Sequence, residues 1–261
     1  MTRESVTGEN SLCAMVITHN EQDNIGRTLE SIAWLDHILV IDSGSTDATL
    51  EIVAQYPQAR VVHRDFTTFA EQCNFGLQQI DTEWVLSMDA DYVFPHEARE
   101  ALISTTAPGK ADGYQAEFFY AIHGKVVKGS ILPPRTVLYR RDLAHYEDDG
   151  HGHRVRVRGR VDRLPFRIVH DDRKPLSRWA TSQIRYAAQE ADKLLATPPG
   201  ELSLQDRLRR LVIVAPLAVF VLVYFVRGGI LSGWHGLYYA LQRSTFEILL
   251  SLSLIERKFR R

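Results

Sequence analysis

Asp89-Ala90-Asp91 closes the run Glu83-Trp84-Val85-Leu86-Ser87-Met88, so two carboxylates one residue apart arrive where a strand gives way to a loop. Carboxylates at i and i+2 of an extended segment project to the same side. Mg²⁺ and Mn²⁺ take hard oxygen ligands, usually one or two protein carboxylates with substrate phosphates completing the shell. The chemistry this pair suits is the holding of a divalent metal against a diphosphate. A bare Asp-x-Asp also occurs in ordinary loops and helix caps, so its meaning depends on the elements that position it.

Those elements alternate. Leu12 to Thr18 is a short apolar run followed by the polar turn Thr18-His19-Asn20-Glu21, and Asp23 to Ala33 has helical spacing at Ile25, Leu29 and Ile32. His37 to Ile41 reads as a buried strand ending on Asp42, Ser43 to Asp47 is turn and cap chemistry, and Ala48 to Gln55 is the helix it opens. Ala59 to His63, Phe69 to Ile80 and Trp84 to Met88 continue as strand, helix and strand. Strands joined through helices pair in parallel with right-handed crossovers. In open α/β sheets the ligand crevice lies outside the carboxyl ends of the strands. Thr18, Asn20 and Glu21, then Asp42 and Ser43, then Asp89 and Asp91 all follow strands on that one edge, which points to a phosphate-bearing nucleotide. Ser45-Thr46-Asp47 reads as helix capping rather than ligand contact.

The segments Thr18-His19-Asn20-Glu21, Val40 to Asp47 and Leu86 to Asp91 resemble those of family 2 inverting glycosyltransferases of the GT-A fold. Ala70-Glu71-Gln72-Cys73-Asn74-Phe75 is similar to the stretch found in the branch that contains lipopolysaccharide core glucosyltransferases. The resemblance covers roughly the first hundred residues. It implies an α/β fold, with a GT-A-like nucleotide-binding sheet flanked by helices. It also implies that Thr18, Asn20, Glu21, Asp42 and Ser43 hold the nucleoside. Asp91 would bind Mg²⁺ or Mn²⁺, with Asp89 supporting it or touching the ribose. Inversion then needs one general base to deprotonate the acceptor hydroxyl.

Many members of that branch carry a His-Glu pair where this chain has Gly150-His151-Gly152-His153-Arg154, so the glutamate is missing. The nearest carboxylates are Glu147, Asp148 and Asp149. Asp149 is the favoured base because it directly precedes the Gly/His loop, Asp148 stands beside it, and His153 is the expected metal or diphosphate contact. His151 and His153 alternate along an extended segment and are candidates to share a face as metal ligands or phosphate donors. The alternative is a polar hairpin in which Arg154 to Val161 is a half-exposed strand with solvated arginines. His170-Asp171-Asp172-Arg173-Lys174 reads equally as a metal- or phosphate-binding cluster, with Arg173 on the diphosphate, and as a salt-bridged loop before a helix over Ser177 to Leu195. Tyr114 to Tyr120 reads as an antiparallel strand, and Arg135 and the Gly129-Ser130 turn are candidates to border the acceptor.

The 261 residues, 45% of them hydrophobic, suffice for one large domain with an appendage. The expected division is a glycosyltransferase-like domain over 1–196, a linker over 197–206 at Thr197-Pro198-Pro199-Gly200, and a membrane-associated helical region over 207–261. There Leu211 to Val226 is uncharged and almost wholly apolar, yet a helix of that length reaches only about 24 Å, short of the roughly 30 Å bilayer core. With Ile230 to Ile255 it forms an expected apolar hairpin flanked by arginines at both ends, re-entrant or in the membrane plane. A soluble hairpin folded onto the domain or a dimer partner is the alternative. Met1 to Asn10 lacks the apolar core of a secretory signal, and Cys13 and Cys73 have no metal spacing. These features place the expected site of action on the cytoplasmic face of the inner membrane.

The expected reaction is metal-dependent transfer of a hexose from a nucleotide-diphosphate sugar, with UDP favoured, to a lipid-linked saccharide or lipopolysaccharide core. A polyprenyl-phosphate acceptor, or a noncatalytic nucleotide-sugar-binding membrane scaffold, is the competing reading. Nucleic acid is not an expected partner, because the arginines of 154–160 interleave with valine rather than with stacking aromatics. Oligomeric state is left open.

Overall fold

A computed structural model describes residues 12–107, 110–149 and 152–260. The first half is the expected alternation: β1 (Leu12–Thr18), α1 (Ile25–Ser31), β2 (His37–Asp42), α2 (Thr49–Val53), β3 (Ala59–His63), α3 (Phe69–Gln78) and β4 (Trp84–Asp89). The four strands lie in the order β3-β2-β1-β4 and pair in parallel. β1, β2 and β4 are covered on both faces and are continuous apolar runs rather than alternating ones, whereas the edge strand β3 is half-exposed. Leu12, Ala14 and Val16 of β1, with Ile38, Val40, Trp84 and Leu86, enter a core with α1 residues Ile25 and Leu29. Cys13, Met15, Leu39, Ile41 and Val85 enter the opposite core with α3 residues Ala70, Cys73 and Leu77.

The second half turns the sheet antiparallel. After β5 (Tyr92–Val93) and α4 (Ala98–Thr105) come β6 (Gly113–Ile122), β7 (Lys125–Val126), β8 (Arg135–Arg140), β9 (Ala144–Asp149), β10 (Gly152–Val157) and β11 (Val161–His170). The sheet continues from β4 as β8-β6-β11-β5, while β9 and β10 form a separate two-stranded ribbon. β6 is antiparallel to β8, as expected for this stretch, but parallel to β11. The alternating segment expected over Arg154 to Val161 divides between the ribbon and the start of β11. Pro165 lies where the β6/β11 register shifts, between Arg163 and Arg167, consistent with a residue that has no N–H to give the ladder.

Contacts group the chain into two compact units. One comprises residues up to Tyr120, Leu132–Asp148 and Gly152–Arg173, and the other Ala121–Ile131, Asp149 and the residues from Lys174 onward. The second unit holds α5 (Leu176–Ala196), α6 (Leu204–Arg209), α7 (Val214–Val221), a π-helical turn over Leu222–Val226, a 3₁₀ turn over Gly229–Ser232 and α8 (Gly233–Phe259). α5 groups with the C-terminal helices because Ala187, Ala191 and Leu194 share a core with Phe246, Leu250 and Leu254. Arg209 ties these helices together, meeting Glu247 at 2.9 Å and Glu190 at 3.3 Å, both carboxylates being buried. Among the described residues no single helix is long and apolar enough to cross a membrane; Val214–Val226 with Gly229–Phe259 forms a pair bent by 65°. Met1 to Asn10, on which the reading of a missing secretory signal rests, lies outside the described residues.

Helix α3 starts on Thr68, whose hydroxyl accepts from the Glu71 N–H at 3.2 Å, a cap. It then approaches the sheet at Gly76, where an added Cβ would fall within 3.0 Å of both Ile41 and Met15. Gly76→Val should therefore lower unfolding free energy by about 1–3 kcal/mol through overpacking, read by urea denaturation. Cys13 and Cys73 are free and buried, and burial pushes the Cys13 thiol up to about 11 and Cys73 in the same direction. At pH 8 only roughly a thousandth of Cys13 would be thiolate. Ellman's reagent should find neither thiol in the native protein and both in denaturant.

Candidate active site

The parallel register fixes where the carboxyl ends of the strands fall. Thr18 is the partner of Asp42 across β1 and β2, and Ile17 is the partner of Asp89 across β1 and β4. The expected nucleoside residues and the first metal carboxylate thus share one sheet edge. Thr18 and Asp42 are buried, and the Thr18 hydroxyl has no hydrogen-bond partner among the described residues. Asp42 folds the loop that follows it: its carboxylate accepts from the Gly44 N–H at 2.9 Å, the Ser45 N–H at 3.0 Å and the Ser45 hydroxyl.

Asn20 and Glu21 lace that loop to the first turn. Asn20 takes a left-handed φ of 55°, its N–H donates to the Ser45 hydroxyl at 2.8 Å, and its side-chain oxygen accepts from the Thr46 N–H at 2.6 Å. Asparagine tolerates this conformation better than most residues. The Glu21 N–H donates to Thr49 at 2.6 Å, and the Glu21 carboxylate accepts from Asn24 at 2.9 Å. Asp47 accepts from the Thr49 N–H at 3.0 Å, the capping role expected of it. Ser43 accepts from Gln72 of α3 at 2.7 Å.

Asp91 follows β4 and is buried beside His170, whose Nε2 lies 3.0 Å from the Asp91 carboxylate. This meeting is made by β5, which pairs antiparallel with β11 so that Tyr92 stands opposite His170. The rings of Tyr92 and Tyr120 meet His170 edge-on at 5.4 and 5.1 Å. Burial pulls the His170 pKa down, but the charge and hydrogen bond of Asp91, with Asp89 and Asp172, outweigh it and leave it raised. Asp89 has Arg135 at 3.5 Å, and Arg135 also donates to the Tyr92 hydroxyl at 3.2 Å. Burial, then the nearby charge of Asp89, pushes the Tyr92 phenol well above its ordinary value.

His153 sits on β10 with its ring against Phe69 at 5.6 Å and Tyr146 at 5.4 Å. Burial lowers its pKa, with the charge of Asp89 opposing and that of Arg135 assisting. Of the expected carboxylates, Asp89 acts on His153 more strongly than Asp148. Asp149 belongs to the other unit, where Lys193 of α5 binds it at 2.6 Å. His151 lies outside the described residues. The cluster after β11 divides between its two readings. His170 reaches Asp91, whereas Asp171 is a buried salt-bridge centre gripped by Arg27 at 2.9 Å and Arg173 at 2.8 Å. Arg173, expected on the diphosphate, thus has Asp171 as a neighbour.

The ribbon carrying Asp148 and His153 is fastened by a residue whose role spacing alone did not assign. Asn74 of α3 donates to the Tyr146 carbonyl at 2.9 Å and accepts the Tyr146 N–H at 2.9 Å, replacing a strand neighbour. The Tyr146 hydroxyl meets Ser87 of β4 and Tyr139 of β8, each at 2.7 Å. A divalent metal would find in this unit two carboxylates and one imidazole of suitable chemistry. No ready-made cluster of three metal-ligating side chains exists among the described residues, so phosphate oxygens would have to supply the remaining ligands.

A parallel β3-β2-β1-β4 half, a mixed continuation and an Asp-x-Asp at the carboxyl edge together make the GT-A fold of glycosyltransferases. Residues 13–156 match the profile of glycosyl transferase family 2, and the chain belongs to that family. It is 34% identical over 95 residues to the lipopolysaccharide core biosynthesis glycosyltransferase LpsC of Rhizobium meliloti (strain 1021), covering 35% of each chain. It is 31% identical over 144 residues to the uncharacterized glycosyltransferase RC0292 of Rickettsia conorii (strain ATCC VR-613 / Malish 7), covering 52% of this chain and 50% of that one. The chain thus spans about a third to a half of the length of the curated relatives it matches. Among solved structures, S. aureus TarS 1-349 in complex with UDP-GlcNAc superposes with a TM-score of 0.51 at 15% identity, over 96% of this chain and 91% of that one.

Truncating the Asn74 clamp leaves both backbone polar groups of Tyr146 to find new partners. Asn74→Ala should cost about 1–3 kcal/mol of unfolding free energy. It should also raise amide exchange in β9 while leaving the Asp42 loop protected, measurable by hydrogen-exchange mass spectrometry.

Proposed function

We propose that this protein is an inverting glycosyltransferase that moves a hexose from a nucleotide-diphosphate sugar, with UDP the favoured carrier, to a hydroxyl of a lipid-linked saccharide or lipopolysaccharide core. The observation that carries the reading is the alignment of Thr18, Asp42 and Asp89 on one sheet edge, with Asp91 held beside His170. The name of the LpsC relative supports the envelope-saccharide acceptor. The loop laced by Asn20, Asp42 and Ser45 presents a rigid rim for the base and ribose, and Thr18 offers a buried hydroxyl on the same side.

Asp89 and Asp91 are the carboxylates that would hold a metal against the diphosphate, and Arg135 adds positive charge beside Asp89. A bound Mg²⁺ or Mn²⁺ would supply Lewis-acid stabilisation of the charge that grows on the leaving nucleoside diphosphate. Inversion requires the acceptor hydroxyl to attack the anomeric carbon from the face opposite the leaving group while a base takes its proton. Asp148, on the ribbon strand that pairs with the strand carrying His153, is the base proposed for this step. Asp149, paired with Lys193 at 2.6 Å, is the alternative.

Calorimetric titration with UDP, GDP and dTDP, with and without Mn²⁺, tests the donor site. One nucleotide should bind only with metal, and Asp89→Ala or Asp91→Ala should remove that binding in protein that remains folded. Asp148→Asn should keep metal-dependent nucleotide binding and lose at least 10²-fold in turnover, the scale typical of a general base. Loss confined to Asp149→Asn would move the base one residue along. Full turnover in both variants would favour polyprenyl phosphate as acceptor, since an anionic nucleophile needs no strong base. Absence of nucleotide binding in folded wild-type protein would overturn the reading in favour of a noncatalytic scaffold.

A further inference from the structure

We propose that the bend between the π-helical turn and α8 is a wedge that inserts into the surface of a lipid bilayer bearing anionic headgroups. Around Gly228-Gly229 the chain turns its large apolar side chains outward: Val226 is 73% exposed, Leu231 72% and Trp234 83%, with Phe225 and Ile230 exposed beside them. An exposed apolar group of this size on one element marks an interaction surface.

The wedge is a built element, not a frayed end. A Cβ on Gly229 would lie 2.7 Å from the Val223 carbonyl oxygen, one on Gly129 2.5 Å from the same atom, and one on Gly236 would strike the Gly229 carbonyl. Three glycines therefore let the bend, the start of α8 and the 127–131 segment pack backbone against backbone. That segment is held further by its Lys128 N–H donating to the Ser232 hydroxyl at 2.9 Å and its Ile131 N–H donating to the Tyr239 hydroxyl at 3.2 Å. With the inner side of the bend taken up in this way, Val226, Leu231 and Trp234 have only the outside to face.

Charge selects the occupant. From Leu211 through Phe246 the sequence contains no Asp or Glu but includes Arg227 and Arg243. Arg227 is exposed at the bend itself, among the apolar side chains. A cation set within an apolar tip suits an interface where acyl chains lie below phosphate headgroups. A second copy joined about a twofold axis through the tip would bring Arg227 against its own equivalent, an unfavourable like-charge contact. The 65° bend and the shortness of the Val214–Val226 arm fit insertion from one side rather than a crossing.

Flotation of the full chain with phosphatidylcholine vesicles, with and without phosphatidylglycerol, tests the inference. The protein should float with the phosphatidylglycerol vesicles and at least tenfold less with phosphatidylcholine alone. Leu231→Asp combined with Trp234→Asp should reduce flotation at least tenfold with an unchanged far-ultraviolet spectrum, and Arg227→Glu should erase the preference for the anionic lipid. In the wild type, lipids brominated near the headgroup should quench a part of the tryptophan emission that is absent in Trp234→Phe. Wild-type flotation by the double variant, no flotation of folded wild type with either vesicle, or a dimer by light scattering that the double variant dissolves would each overturn it. None of these readouts depends on sugar transfer, so the inference stands or falls apart from the catalytic reading.

Discussion

Burial of β1 on both faces is the constraint on which the rest of the first unit depends. A strand with α1 on one side and α3 on the other must be apolar at every position, and Leu12 to Val16 is fully buried. Such a strand has one register with each neighbour, because a slip by one residue would exchange the side chains of two differently shaped cores. The register with β2 and β4 in turn sets Thr18 level with Asp42 and Ile17 level with Asp89. The chemistry at the edge is thus a consequence of packing in the middle. Polar residues begin where the apolar run ends, and the three strands end together.

The same logic explains what was readable from sequence. β1, β2 and β4 are unbroken apolar runs bounded by turn residues, and the crossover helices between them have helical spacing, so their order and the shared edge of Thr18, Asp42 and Asp89 follow from local pattern. The second half offers no such pattern. β11 opens as Val161-Asp162-Arg163-Leu164-Pro165, whose charges and proline carry no strand pattern, yet Leu164 and Phe166 are buried in the core. β5 is two residues long and carries no signal of its own. Its pairing with β11 is what delivers His170 to Asp91, so the histidine could be seen as part of a dense cluster but not assigned. Asn74 was visible inside a family-like stretch, while its task is set by the position of Tyr146, far along the chain.

Buried charge is fixed in two ways, by polar groups of the loops and, as at Asp171, by arginines. In the first, carboxylates such as Asp42 are satisfied by backbone N–H groups and neighbouring hydroxyls, which hold a loop in one shape. In the second, Arg209 stands between two buried glutamates contributed by α5 and α8. An ion pair of this kind gains little net stability over apolar packing, but removing one partner strands the others. It links α6 to α5 and α8 at one point.

Asp91 and His170 stand 79 residues apart in sequence. Contacts of such long span form late, after the loop entropy between them has been overcome. During synthesis the chain emerges from its amino end, so β1 to β4 can assemble their sheet edge well before β11 exists. Asp89 needs only β1 to β4 for its place on the edge, whereas the Asp91–His170 contact needs β11. A nascent or truncated chain ending before His170 would present the Asp42 loop and Asp89 without the strand that brings His170 to Asp91. Maturation of the site is thereby coupled to completion of the sheet, a built-in delay between folding and competence.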